Sequence, residues 1–415
     1  MIAVQPENAV FLLLSFEGPD PYSLAGGLGV RMTGLAQALA NRGFDTHLVF
    51  YGDPFLPSSE DRGTLRLYRW GQHLSRQFPL GVYHGEQEKL QHLTDTFPEF
   101  ATALTSDVAS QHKRLIVMAE DWQTVPALLE TSDHLWRHGL RAHATLIWNA
   151  NNIIGFDNID WHRLAFVSHL TTVSRFMKHT MWNYQVNPTV IPNGLGLDAY
   201  KVAPDGKNPL QSLQSDLTLV KVARFDPDKR WVMAVDAIAS LKSQNIKVRA
   251  LVRGGMESYG NQVRDHARHR GLIWEPVSYK MGWEEDLAQI TADVIEVVNR
   301  IPDPVLRGLY HFADGVLANS GMEPFGLVGL EVMAQGGIAI TGATGEDYVI
   351  PYYNALVVDT DDPEEMAHHG LLLMQNPTLA SSIRAHGPVT AEQYRWDRVV
   401  DGLLYRVADF YTHLK

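Results

Sequence analysis

The chain has 415 residues, no cysteine, and 47 acidic against 35 basic side chains for a formal net charge of -12. The missing cysteine excludes disulfides, thiolate metal ligands and a Cys nucleophile, and fits a reducing compartment. The acidic balance disfavours nucleic acid and anionic lipid surfaces as general partners, since both are held mainly by Lys and Arg. So long a chain exceeds what one hydrophobic core supports, and its 45% hydrophobic content is ample for two domains. Met1 to Asn8 lacks the positively charged opening of a signal peptide, and Ala9 to Phe16 is too short to cross a bilayer. That stretch reads as a first buried strand, and a cytoplasmic location is expected.

A loop follows at Glu17-Gly18-Pro19-Asp20-Pro21 and runs into Ala25-Gly26-Gly27-Leu28-Gly29. Helical spacing from Val30 to Arg42 ends at Gly43, before a strand from Thr46 to Tyr51, which makes a βαβ unit. Its glycines let backbone approach a ligand at a helix start. The spacing of Gly26, Gly27 and Gly29 is not the dinucleotide fingerprint, and no acidic residue ends the second strand. The segment from Gly52 to Gln111 is less regular, with a strand at Leu65 to Trp70 and a helical piece around Glu86 to Leu104.

Alternation then resumes. Leu115 to Ala119 reads as a buried parallel strand, followed by Glu120-Asp121-Trp122 and a helix through Leu129; Ala144 to Trp148 is the next strand, followed by Asn149-Ala150-Asn151-Asn152. Doubly wound sheets bind ligands at strand C-terminal ends, so Asp121, Trp122, Asn149 and Asn151 are crevice candidates, although the asparagines equally suit a turn. After a short strand at Leu170 to Val173, Ser174 is placed to cap a helix from Arg175 to Trp182. Thr189 to Gly194 gives a strand and turn. The Pro/Gly/polar run from Lys201 to Asp216 looks like a linker, which sets an N-terminal domain at 1–205 and a second at 206–395.

The second half repeats the rhythm: strand Leu217 to Val222, a loop to Trp231, a helix through Leu241, strand Lys247 to Val252 and helix Glu257 to His269. Leu272 to Trp274, a helix from about Glu284 to Val298, and a short helix from Pro304 to Phe312 lead to the strand Gly315 to Ala318. Tail helices are expected at Pro363 to Met374 and Asp397 to His413. Arg224 and Lys229 share one loop at a strand end, an arrangement that suits a diphosphate. Asp226-Pro227-Asp228 has the spacing of a metal box, but a Pro-punctuated turn explains it as well and is preferred. Glu323 and Glu331 stand eight positions apart, the first in a Gly/Pro loop after a strand and the second on a helix. Such a junction aims backbone N–H groups and the positive end of a helix dipole at an anion.

On these residues the chain resembles a retaining glycosyltransferase of the GT-B fold, close to glycosyltransferase family 4 and its sucrose-phosphate synthase and glycogen synthase groups. Glu323-Pro-Phe-Gly-Leu through Glu331 is the specific signal; the glycine loop, Asp121-Trp122, Val173-Ser174, Pro192-Asn193-Gly194 and Arg224 with Lys229 fall in the expected order. The resemblance implies an α/β chain with two Rossmann-like doubly wound domains facing a cleft, and a C-terminal helix, about 396–415, crossing back to the first domain. It implies metal-independent transfer of a hexose, as from UDP-glucose, to a hydroxyl acceptor such as a sugar or sugar phosphate, in carbohydrate biosynthesis. The nucleotide-sugar is then a substrate and no cofactor is needed.

By matching positions, Arg224, Lys229 and Glu323 form the catalytic set: the two cations neutralise the diphosphate and Glu323 binds donor-sugar hydroxyls. Glu331 takes the ribose, Gly27 brings its backbone to the diphosphate or the acceptor as part of the nucleotide-sugar site, and Phe325, Gly326 and Leu327 offer backbone to the donor sugar. On the acceptor side stand Gly26, Asp121, Trp122, Asn149, Asn151, Arg175 and Lys178. Relatives often carry His where this chain has Trp148 and Asn149, and some carry His at Glu120. A GT-B sugar-nucleotide epimerase and a glucan-type transferase are the alternatives. No nucleic acid and no stable membrane association are expected, and the oligomeric state is left open.

Overall fold

Apolar runs without alternation need cover on both faces, and the first half supplies four: β1 (Ala9–Leu14), β2 (Thr46–Phe50), and two longer ones given below. The computed structural model describes residues 3–201, 208–342 and 344–411. By backbone contacts the chain divides into two compact units, Met1–Gly194 with Trp396–Lys415, and Leu195–Arg395.

In the first unit β3 (Ser59–Arg62) and β4 (Leu65–Arg69) form an antiparallel hairpin. They are followed along the chain by β5 (Arg114–Glu120), β6 (Ala144–Ala150), β7 (His169–Thr172) and β8 (Thr189–Val190). The sheet order is β3-β4-β2-β1-β5-β6-β7-β8, parallel apart from the hairpin. Order reverses beside β1, so the glycine loop after β1 and the turn after β5 open at the switch point where such sheets hold ligands.

The last helix, Trp396–Phe410, belongs to this unit. Its Trp396, Val399, Val400, Leu403 and Val407 share one apolar cluster with Phe11, Leu35 and Leu39. Two glycines make room for its first residue: a Cβ at Gly34 would lie 2.0 Å from the Trp396 indole nitrogen, and one at Gly194 would lie 2.5 Å from its ring carbon.

The second unit contains β9 (Leu217–Val222), β10 (Val248–Arg253), β11 (Trp274–Val277), β12 (Val294–Val297), β13 (Gly315–Ala318), β14 (Ala339–Thr341) and β15 (Leu356–Val357). They form one parallel sheet in the order β11-β12-β10-β9-β13-β14-β15. The architecture is thus two doubly wound α/β sheets with a closing helix on the first.

Several expectations are corrected. The helix expected from Glu284 to Val298 is a single turn, Glu284–Leu287, followed by β12. The run Val294-Ile295-Glu296-Val297 is mostly β-branched, fully buried, and paired to β10 and β11, so tertiary pairing overrides helical spacing. The stretch Leu272 to Trp274, given no element type from sequence, leads into β11, which begins at its last residue. β3, β14, β15 and the helices Gln72–Gln77 and Pro377–Ala391 carried no strong sequence signal. The linker expected over Lys201 to Asp216, with a boundary at 205, falls partly outside the described residues.

Candidate functional site

In the second unit the chain leaves the buried central strand β9 into a tight turn. The Asp226 carboxylate accepts from the Asp228 N–H at 2.9 Å, which closes the one-turn helix Pro227–Lys229 before Arg230 takes φ 46° and the Trp231–Ser243 helix begins. Asp226 therefore acts as the cap of this turn. The neighbouring loop after β13 docks on it through Gly321 N–H to Asp228 O at 2.7 Å. These two anchors bring Lys229 Nζ within 2.5 Å of Glu323 Oε2, with side chains 25% and 21% exposed. Arg224 is exposed on the same loop, its carbonyl held by the Trp231 indole N–H at 2.8 Å, and no described residue accepts from its guanidinium. Behind the pair lies Lys221, buried and donating to Asn319 Oδ1 at 2.6 Å; burial, and then Lys229, pushes its pKa down to about 7.

The loop bearing Glu323 rests on a later segment. Thr344 Oγ1 accepts from the Glu323 N–H at 2.9 Å and donates to Glu323 O at 3.2 Å, while Tyr348 Oη donates to Gly326 O. Gly326 has φ 78°, and a Cβ there would lie 2.7 Å from Glu346 Cγ, so only glycine fits. The helix Leu327–Ala334 then starts without a side-chain cap. No described residue accepts from the N–H groups of Phe325, Gly326 or Leu327, which leaves the helix terminus open to an anion. Glu331, partly buried on this helix, makes no side-chain hydrogen bond to a described residue; burial, and then Asp303, pushes its pKa up to about 7. A recessed carboxylate of this kind suits hydroxyl donors.

The first unit shows a different arrangement at its glycine loop. Glu17, buried just past β1, accepts through Oε2 from the N–H groups of Ala25 at 3.2 Å, Gly26 at 2.9 Å and Gly29 at 3.0 Å, and through Oε1 from Tyr83 Oη at 2.6 Å. The protein's own carboxylate thus holds this end of the Gly27–Asn41 helix, and the Gly26 N–H is engaged. The N–H groups of Gly27 and Leu28 have no acceptor among the described residues. Glu17 and Tyr83 were missed from sequence; an acidic residue at a strand end directly before a glycine loop was the available signal for the first.

The asparagines expected in the crevice serve a buried ion pair. Arg31 Nε lies 3.1 Å from Glu120 Oε2, both side chains fully buried, and Arg31 Nη1 donates to Asn193 Oδ1 at 2.8 Å. Asn149 and Asn151 donate to the same Glu120 oxygen at 2.8 and 2.5 Å. Asn149 is 0% exposed because β6 runs two residues beyond Trp148, and its Oδ1 accepts from Thr171. Trp148 is likewise interior, edge-on to Trp161 at 5.6 Å, with its N–H on Asp121 O.

Asp121 stands apart. Its φ of 62° and ψ of 172° lie in a region nearly reserved for glycine, a strain of roughly 1–3 kcal/mol that concentrates at functional positions. Its carboxylate accepts from Asn151 N–H and Asn152 Nδ2, each at 2.7 Å, and burial pushes its pKa up to about 7. Trp122 is partly buried and covers Gly155. Ser174 caps the Arg175–Trp182 helix by accepting from Met177 N–H at 3.2 Å; this puts Arg175 exposed in its first turn and Lys178 one turn on. Among the described residues no His, Asp and Glu are grouped to hold a metal, and no helix is long and apolar enough to cross a membrane.

Residues 205–388 match the family Glycosyl transferases group 1, so the second unit's motifs sit in a glycosyltransferase domain. An uncharacterized glycosyltransferase of Methanocaldococcus jannaschii is 21% identical over 339 residues, 78% of each chain. The fold is that of GT-B structures. The sucrose-phosphate synthase of Thermosynechococcus elongatus superposes with a TM-score of 0.66 at 21% identity, covering 98% of this chain and 99% of that one. A UDP-forming alpha,alpha-trehalose-phosphate synthase of Burkholderia xenovorans, solved with glucose-6-phosphate, gives 0.64 at 14% identity over 96% and 100%.

Proposed function

We propose that this chain, with its glycosyl transferases group 1 domain, is a retaining hexosyltransferase that moves a hexose from a nucleoside-diphosphate sugar to a hydroxyl of a sugar or sugar-phosphate acceptor. The observation that carries this reading is the Lys229–Glu323 pair at 2.5 Å beside an uncapped helix terminus. One cation and one carboxylate at that spot divide a nucleotide-sugar between them: phosphate oxygens to Lys229 and Arg224, sugar hydroxyls to Glu323. Glu331 then receives the ribose hydroxyls.

As the anomeric carbon–oxygen bond breaks, the sugar becomes oxocarbenium-like and negative charge builds on the leaving diphosphate. Arg224, Lys229 and the N–H groups of Phe325 to Leu327, which no described residue engages, stabilise that charge without reorganising. The acceptor oxygen attacks from the same face and its proton passes to the departing phosphate, so no protein base is required. On the acceptor side, Asp121 supplies a buried carboxyl, and the Gly27 N–H, Arg175 and Lys178 favour a phosphate. The trehalose-phosphate synthase, being UDP-forming and solved with a sugar phosphate, supports both halves of this assignment. A cytoplasmic location belongs to the same reading.

The test is a release screen for nucleoside diphosphate that crosses UDP-glucose, ADP-glucose and GDP-mannose with acceptors including fructose 6-phosphate. One donor should release diphosphate only when acceptor is present; acceptor-independent conversion of the donor sugar would instead support an epimerase. The reading also requires no metal. Saturating EDTA should leave transfer within about twofold of the untreated rate, because two fixed cations supply the charge. A strict divalent requirement would recast Asp226 and Asp228 as ligands.

A further inference from the structure

Glu346 is used by nothing in the mechanism above, yet it lies inside the donor half of the site. It is 7% exposed, on the segment that supports the Glu323 loop. Its Oε2 accepts from the Thr344 N–H at 3.1 Å, and its Oε1 is buried with no hydrogen-bond partner among the described residues. That oxygen lies 3.0 Å from where a Gly326 Cβ would be, directly beneath the turn that opens the Leu327–Ala334 helix. The groups that bear on it are Glu323 from the loop above and Lys229 from the turn after β9, with Lys221 behind. Its own segment adds Asp347 and Tyr348, and Tyr394 lies beside Tyr348 with ring centroids 5.8 Å apart. Two carboxylates, Glu323 and Glu346, therefore share one nearby lysine.

We infer that Glu346 is a positioning residue that couples nucleotide binding to uptake of a proton. The inference rests on the reading that Lys229 holds the donor diphosphate. When the diphosphate arrives, Lys229 turns from the carboxylates to the phosphates, and the incoming negative charge faces Glu346 in a region shielded from water. A buried carboxylate that loses its compensating cation is strongly disfavoured, and protonation relieves it. The neutral acid then supports the Gly326 turn, and with it the helix N–H groups, without repelling the phosphate. In the free protein, burial and then Glu323 already raise the Glu346 pKa to about 7, so little further shift is needed. The sign follows: a group whose pKa rises on binding strengthens binding at low pH, and the benefit is lost as pH rises through the bound-state value.

Isothermal titration of the full chain with UDP, ADP and GDP in buffers of different ionisation enthalpy reads the proton directly. For the nucleotide that binds tightest, the wild type should take up a substantial fraction of a proton at pH 7.5, and its Kd should weaken by up to about tenfold per pH unit above that. Glu346→Gln should bind without that uptake and with a flatter pH profile. Difference infrared spectra of the wild type should show a protonated-carboxyl stretch appearing on binding, a readout independent of any variant. Uptake unchanged in Glu346→Gln, uptake abolished by Lys221→Met in its place, or no new carboxyl stretch would each overturn the inference. Lys229→Ala separates the two readings. If it binds nucleotide as tightly as wild type, the diphosphate assignment fails and takes this inference with it. If it loses binding while the wild type binds without proton uptake, only the inference falls.

Discussion

Replacing Lys229 with alanine is expected to lower kcat by about 100- to 1,000-fold, the loss seen when one preorganised donor to a developing anion is removed. The effect is assigned to the transition state because the diphosphate carries more charge as the bond breaks than it does in the bound donor. The fold should persist while turnover collapses, which circular dichroism checks: the lysine is 25% exposed and its partner 21%, so water partly screens the carboxylates left behind. Arg224→Ala should behave alike, and more cleanly, since its exposed guanidinium pairs with no described residue. Near-normal turnover in both variants would remove the diphosphate from this loop.

The largest expected loss of stability lies elsewhere, at a pair that touches no proposed substrate. Glu120→Ala strands the fully buried Arg31 guanidinium, along with the Asn149 and Asn151 amides that point at the same carboxylate. Removing one partner of such a pair costs about 3–5 kcal/mol, because the remaining charge is left uncompensated in low dielectric. For a unit of this size that corresponds to a fall in Tm of about 6–20 °C, measurable by calorimetry. A joint change of Arg31→Met and Glu120→Leu should recover much of the loss, since it deletes both charges. A drop below about 1 kcal/mol for Glu120→Ala alone would mean that water reaches the pair.

The loop bearing Glu323 and the helix bearing Glu331 were legible in the sequence because their signals are local. A strand, a Gly/Pro loop and a helix in direct succession fix where Glu323 and Glu331 stand, and Asp226-Pro227 before an apolar helix announces a turn. What joins these pieces is not local. Lys229 meets Glu323 across 94 positions, and Thr344 supports Glu323 from 21 positions on; no periodicity records either contact. The inward contacts of two first-unit asparagines were hidden for a related reason. Asn149 and Asn151 have the composition of a turn, and only the neighbouring strand shows that Glu120 recruits both amides inward. Glu17 illustrates the converse, since its role depends on backbone donors 8 to 12 positions ahead that exist only once the helix has formed. In the edge region, the β-branched run at β12 looked helical until paired with its neighbours.

The first unit closes with a helix encoded some 200 residues after the rest of it, across the whole of the second unit. On a ribosome the two units therefore cannot finish in the order in which they are made. While Leu195–Arg395 emerges and folds, the groove lined by Leu35, Leu39 and Phe11 lacks Trp396, Val399, Val400 and Leu403, and the gap between Gly34 and Gly194 lacks the indole that fills it. The nascent first unit must persist as an incomplete core, a state prone to sticking and to capture by chaperones. Completion waits for the last helix to be released. A product truncated before Trp396 keeps every proposed donor ligand and still lacks the helix that completes the first unit's core.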